Sequence, residues 1–269
     1  MWNQLSKLHE QGQRFILVTV ISTGGSTPRN IGSQMVITTA KCYGSIGGGA
    51  IEYQVIQHAQ DILAEQPNPS PISWFEAHLS HDLGMCCGGK MKLMLQDIVP
   101  TPRLIIFGAG HIGTALAQLA QFSGYQVFVI DDREEWADPH RFESVLPNNS
   151  QQTQSDRSIT TSITVICNDA EHYLIGASLQ STDYVVVTTY DHGLDQRLIS
   201  KLAPQKLAYL GLIGSKAKWL KFVSRLQDDV DPSDLDRVHC PMGLKIAAQT
   251  PEEIAVSVMA ELISTRRNS

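Results

Sequence analysis

The residues best suited to chemistry are thiols and glycine turns. Leu83-Gly84-Met85-Cys86-Cys87-Gly88-Gly89 sets two adjacent cysteines before two glycines. Such a turn exposes sulfur, and a thiolate is both a soft metal ligand and a nucleophile. Cys87 is read as functional, while for Cys86 a functional and a structural role stand level. Cys167 ends the apolar run Thr164-Val165-Ile166 and is read as a small core residue. Cys42 and Cys240 are read as structural.

Gly108-Ala109-Gly110-His111-Ile112-Gly113 has the spacing GxGxxG and lies between an apolar strand and a helical pattern. In that setting Gly108 permits a tight turn, Gly110 lets a phosphate approach the backbone, and Gly113 allows close packing of helix on strand. The free amides and partial positive charge of the helix start attract the anion. His111 would cover the rim. Asp131 ends the next strand, where an acidic residue hydrogen-bonds a ribose hydroxyl and favours NAD over NADP; capping of the following turn is the alternative. Two further loops offer donors: Gly24-Gly25-Ser26-Thr27-Pro28-Arg29, with Ser26 and the bidentate guanidinium of Arg29, and Ser45-Ile46-Gly47-Gly48-Gly49, which opens a helix. For each, an anion cradle at Ser26 and Arg29 or at Gly47, Gly48 and Gly49 competes with a loop that merely needs positive φ.

These residues are carried by two segments. Over 1–98 the pattern is α+β. Strands are expected at Phe15–Ile21, Gln34–Thr38, Ile72–Leu79 and Lys90–Leu95, and a helix over Gly49–Leu63 with apolar residues at 51, 55, 56, 59, 62 and 63. Asp97-Ile98-Val99-Pro100-Thr101-Pro102 reads as a linker, because its prolines disfavour helix and sheet. Over 103–269 strands alternate with helices. Leu104–Phe107, Gln126–Ile130, Ile163–Ile166, Tyr184–Thr188 and Leu207–Leu210 are apolar strands, and Thr250-Pro251-Glu252-Glu253 is a capping box opening the last helix. Pro147–Ser162 is polar and reads as a loop. The expected fold is α/β: a C-terminal Rossmann-like parallel sheet domain with a smaller N-terminal α+β domain.

Composition narrows the function classes. Of 269 residues, 42% are hydrophobic and 18% charged, so the chain can bury a core. A net charge of −6 argues against a nucleic-acid binder. No apolar run is long enough to span a bilayer, and Met1-Trp2-Asn3-Gln4 lacks the basic start of a signal peptide, so a cytoplasmic protein without a membrane span is expected. Five scattered cysteines make neither a disulfide framework nor a zinc site.

The set Gly25–Arg29, Ser45–Gly49, Cys87-Gly88-Gly89, Gly108–Gly113, Asp131-Asp132-Arg133 and Thr250–Ala255 resembles the XdhC/CoxI family, the xanthine dehydrogenase accessory proteins, over about residues 10–265. The resemblance implies a protein that binds molybdenum cofactor (molybdopterin), supports its sulfuration with a cysteine desulfurase, and inserts it into xanthine dehydrogenase or a related molybdenum hydroxylase. It implies that Cys87 holds the cofactor, in contact with molybdenum, and that the chain works as a homodimer rather than as a catalyst. Tyr209–Lys216 also matches a family loop. After Pro241-Met242-Gly243-Leu244 the family has an acidic residue and, two places on, a glycine; here these are Lys245 and Ala247. The turn at 108–113 would then hold the pterin phosphate or a separate nucleotide, as half of a composite site. A second hypothesis is an NAD(P)-dependent oxidoreductase, for which Asp191, His192 and Asp195 are the candidate proton relay, Asp191 having helix capping as its alternative. A third is a docking scaffold, which the glycine loops argue against.

Overall fold

The computed structural model describes residues 1–65, 71–78, 89–143 and 162–268. Cys86, Cys87, Gly88 and the polar stretch 147–161 lie outside the described residues. The chain divides into two compact units, Met1–Pro100 and Thr101–Ser269.

The first unit runs α1 (Trp2–Glu10), β1 (Phe15–Gly24), β2 (Gln34–Ile37), β3 (Cys42–Gly44), α2 (Gly49–Ala64), β4 (Ile72–His78) and β5 (Lys90–Ile98). Its antiparallel sheet has the order β3-β2-β1-β5-β4. Alternation in β1 sorts the core. Ile16, Val18 and Val20 pack with Ile51, Val55, Ala59 and Leu63 of α2, whose four-residue spacing makes one apolar stripe. Phe15 and Leu17 face the other way, with Leu8 of α1. The β1–β5 register shifts between Val20 and Ser22 and then pairs Gly24 with Lys90, so the two loops that flank these strand ends start side by side.

Asp97 is not linker. It lies in β5, buried, and takes Arg14 Nε and Nη2 at 3.0 and 2.7 Å, while the same guanidinium reaches the carbonyls of Ile62 and Glu65 at the end of α2. A long-range pair, invisible locally, extends the strand up to the prolines.

The second unit continues with β6 (Arg103–Phe107), α3 (His111–Phe122), β7 (Gln126–Asp131), β8 (Ile163–Cys167), α4 (Ala170–Gly176), β9 (Tyr184–Val187), α5 (His192–Leu202), β10 (Tyr209–Leu212), α6 (Lys216–Leu226), α7 (Pro232–Leu235), β11 (Val238–His239) and α8 (Pro251–Asn268). Among the described residues its six strands are all parallel, in the order β8-β7-β6-β9-β10-β11. This is the doubly wound Rossmann order, whose direction of winding reverses between β6 and β9. Leu116, Ala117, Val258 and Leu262 of α3 and α8 cover one face, and Leu198, Ile199, Phe222 and Leu226 of α5 and α6 the other. Among the described residues no helix is long and apolar enough to cross a membrane.

The capping box at 250–253 forms as expected: Thr250 Oγ1 accepts from the Glu253 amide at 3.3 Å, and Glu253 Oε2 accepts from the Thr250 and Gln249 amides. Strand β10 lies two residues later than its pattern suggested. Gly211, within the stretch that resembles a family loop, sits inside the strand, where a Cβ would meet the Tyr209 ring at 2.6 Å. Cys167 is not core. It is exposed, at the end of the edge strand β8, and Cys42 in the edge strand β3 is exposed too.

Ala247, where the resemblance expects glycine, has φ 58°, the only positive φ of a non-glycine among the described residues. An L side chain is strained there. Ala247→Gly is expected to stabilise the second unit by about 0.5–1 kcal/mol, read as a higher thermal midpoint; an unchanged or lower midpoint would show that Ala247 carries no net strain.

Candidate functional site

At the winding reversal of the second unit the three glycines have different tasks. Gly108 has φ 108°, and a Cβ there would run into the Thr188 carbonyl of the strand next door. A Cβ on Gly113 would run into the Gly108 carbonyl oxygen. A Cβ on Gly110 would meet nothing within 4 Å. So two glycines let the turn and helix pack, and the third leaves open space in front of the α3 N-terminus. Gly110 is the N-cap of α3 and no side chain caps the helix, so its first amides remain available to an anion. A phosphate fits this cradle.

Around it stand side chains from the start of α3, the end of β7 and the segment that follows β7. His111 lies edge-on to Trp136 at 5.3 Å, and Arg141 stacks on the same indole at 4.1 Å while donating to the Ala109 and Trp136 carbonyls. Asp131 accepts from the Ala109 amide at 2.8 Å and pairs with Arg133. Burial pushes its carboxyl up, but hydrogen bonds from Arg133 and Ala109 outweigh this and hold it below the usual range. Sequence reasoning quoted Arg133 in the Asp131-Asp132-Arg133 motif without giving it a role, although its place two residues after the strand-ending acid was a signal.

In the first unit the glycine loops meet. A Cβ on Gly47 would run into the Pro28 ring, and one on Gly89 would collide with the Ser26 and Gly24 carbonyls. Gly89, the last residue of the Cys-Cys-Gly-Gly segment, is thus seated on the Ser26 loop. Arg29 and Ser26 are exposed. The loop at 45–49 already holds an anion: Glu52 Oε1 accepts from the Ile46, Gly47 and Gly48 amides at 3.0, 3.1 and 2.6 Å, and from the Ser45 hydroxyl. Sequence reasoning gave Glu52 no role; an acid one turn into a helix after three glycines was the signal. The Cys42 thiol nearby, although the residue is exposed, is pushed up by partial desolvation and by the Glu52 charge, which makes it a weak nucleophile.

Burial raises the Glu52 carboxyl, and its hydrogen bonds lower it further than burial raises it. A depressed carboxylate stabilises the fold above its unfolded value and loses that contribution as pH falls through the folded one. Glu52→Gln is therefore expected to cost about 1–2 kcal/mol at pH 7. Denaturant midpoints of variant and parent should draw together as pH falls below the ordinary carboxylate range; a gap that stays the same in acid would contradict this.

Of the three residues of the candidate proton relay, His192 is exposed and the two acids are engaged elsewhere. Asp191 caps α5 by accepting from the Gly193 amide at 2.7 Å. Asp195 is fully buried and takes Lys218 Nζ and Thr189 Oγ1, each at 2.6 Å. Lys218 also donates to the Ile213 carbonyl at 2.9 Å, so the pair ties the loops after β9 and β10 together. Cys240 lies beside this pair, its thiol pushed up to about 11 by burial. Among the described residues no three His, Cys, Asp or Glu side chains converge as a metal site.

Comparison with known proteins agrees with this architecture. The model described as the XdhC Rossmann domain matches residues 104–262, and that of the XdhC and CoxI family matches residues 8–69. Protein YqeB of Escherichia coli K12 is 30% identical over 276 residues, which is 100% of this chain and 47% of that protein. A probable xanthine dehydrogenase subunit of Bacillus subtilis is 35% identical over 176 residues, 65% of this chain and 46% of the relative. The chain spans about half the length of these curated relatives. The crystal structure of a xanthine dehydrogenase from Bacillus halodurans superposes with TM-score 0.52 at 22% identity, over 99% of this chain and 95% of that one, a likeness of fold. With the Rossmann-domain model spanning more than half of its length and the family's other model matching its first unit, the chain belongs to the XdhC and CoxI family.

Proposed function

We propose that the chain is an accessory protein of xanthine dehydrogenase or a related molybdenum hydroxylase: a cytoplasmic, homodimeric chaperone that binds molybdenum cofactor, supports its sulfuration with a cysteine desulfurase, and inserts it into the enzyme. Family membership in both units carries the reading. The uncapped amides before α3, with open space at Gly110, supply what a ligand phosphate needs. In this reading Cys87 contacts molybdenum, flanked by Cys86, Gly88 and Gly89, and Ser26 and Arg29 stand on the loop that seats Gly89. Gly108, His111 and Gly113 shape the phosphate turn.

The second reading, an NAD(P)-dependent oxidoreductase, has the doubly wound sheet order in its favour. Against it, Asp191 and Asp195 are committed to the fold, which leaves His192 without either acid as a relay partner.

One experiment separates them. The purified chain is mixed with molybdenum cofactor or with NADH and passed through a desalting column. The chaperone reading expects retained molybdopterin that is lost in Cys87→Ala. Retention of NADH alone sinks it. Gly110→Ala shows whether the turn takes part: a methyl fits the open space without disturbing the fold but stands in the path of a phosphate.

A further inference from the structure

The strand-ending acid of a Rossmann turn normally reads a ribose hydroxyl. Here Asp131 has four donors on its two oxygens. The Ala109 amide and Arg133 Nη2 reach Oδ2, each at 2.8 Å, and the Arg133 amide and Nε reach Oδ1 at 3.0 and 2.9 Å. A carboxylate offers about four lone-pair sites. None is left for a ribose, and the side chain is only 2% exposed.

Arg133 is placed the opposite way. Its side chain is 27% exposed, and Nη1 has no hydrogen-bond partner among the described residues. One carboxylate oxygen is shared by its Nη2 and the Ala109 amide, which fixes the guanidinium next to the phosphate turn. Its faces rest on Trp136 at 4.7 Å and Tyr190 at 4.2 Å, so it is held in one orientation. The neighbouring cation, Arg141, spends Nη1 on two backbone carbonyls. An immobilised guanidinium with a free N–H edge is a phosphate reader.

We infer that this crevice selects a ligand with a second phosphoryl group beside the one on the glycine turn, and that Arg133 is the specificity-determining residue; among adenine dinucleotides it prefers the 2′-phosphorylated form, NADP, over NAD. The inference rests on the reading that the turn holds a nucleotide-type phosphate, and it reverses the preference that Asp131 suggests from sequence. The exposed Asp132 carboxylate weakens the local field, so the preference is on the order of tenfold to a hundredfold rather than larger.

The test is calorimetric titration of the full chain with NADP⁺, NAD⁺, 2′,5′-ADP and 5′-AMP. NADP⁺ is expected to bind at least about tenfold tighter than NAD⁺, and 2′,5′-ADP tighter than 5′-AMP by a similar factor. Arg133→Gln should remove the preference while leaving NAD⁺ affinity within a few-fold. Arg133→Lys keeps a charge opposite Asp131, should fold if the first variant does not, and should retain part of the preference. NAD⁺ binding as tightly as NADP⁺ overturns the inference and leaves the nucleotide reading standing. Binding of none of the four overturns both.

Discussion

Gly113→Ala is expected to remove the phosphate turn and to lower the thermal midpoint of the second unit by about 10 °C or more. The new methyl would overlap the Gly108 carbonyl oxygen, with the Thr188 hydroxyl at 3.3 Å behind it. Neither partner is a flexible side chain. The carbonyl belongs to a residue at φ 108° and accepts from the Thr188 hydroxyl at 3.1 Å, so relief means moving α3 away from β6. Overpacking against side chains costs about 1–3 kcal/mol; against fixed backbone the cost should exceed about 4. Thermal melts followed by circular dichroism decide this. A midpoint within two or three degrees of the parent would mean that the turn relaxes freely and that the glycine is not required for packing. Gly110→Ala is the control, expected to melt with the parent.

The second large effect concerns Asp195. Removing one partner of a buried ion pair strands the other, at about 3–5 kcal/mol. With Asp195→Ala, Lys218 keeps only the Ile213 carbonyl and its place over the Phe222 ring. Asp195→Ala with Lys218→Met removes both charges and should recover a substantial part of the loss. Denaturant titration of the single and double variants gives the coupling directly. If the double variant is as unstable as the sum of the two singles, the pair is not coupled and the loops after β9 and β10 are held by packing alone.

What could be read from sequence was what depends on near neighbours. The glycine turn is legible because its three glycines, two of them demanded by packing, fall within six residues, and the capping box because its reciprocal bonds span four. The stripe on α2 and the alternation in β1 are likewise local periodicities. The readings that failed needed the sheet order. Cys167 ends an apolar run that would be buried in a central strand, yet β8 lies at an edge. Asp97 looked like linker because Arg14 is 83 residues away. Lys218 and Asp195 are brought together by the winding of two βα units. Asp131 was open to two readings from sequence, and the structure shows it capping the turn after β7 through the Arg133 amide, a local contact.

Glu52 has a consequence for competition. The loop at 45–48 carries its own occupant on a tether of a few residues, and a short tether holds a group at an effective concentration of millimolar or more. A free anion must outbid that concentration before it gains any of the three amides, and displacing Glu52 would expose a carboxylate that repels it. The loop before α2 is therefore insulated from outside anions by a carboxylate of its own chain, whereas no side chain caps the α3 start.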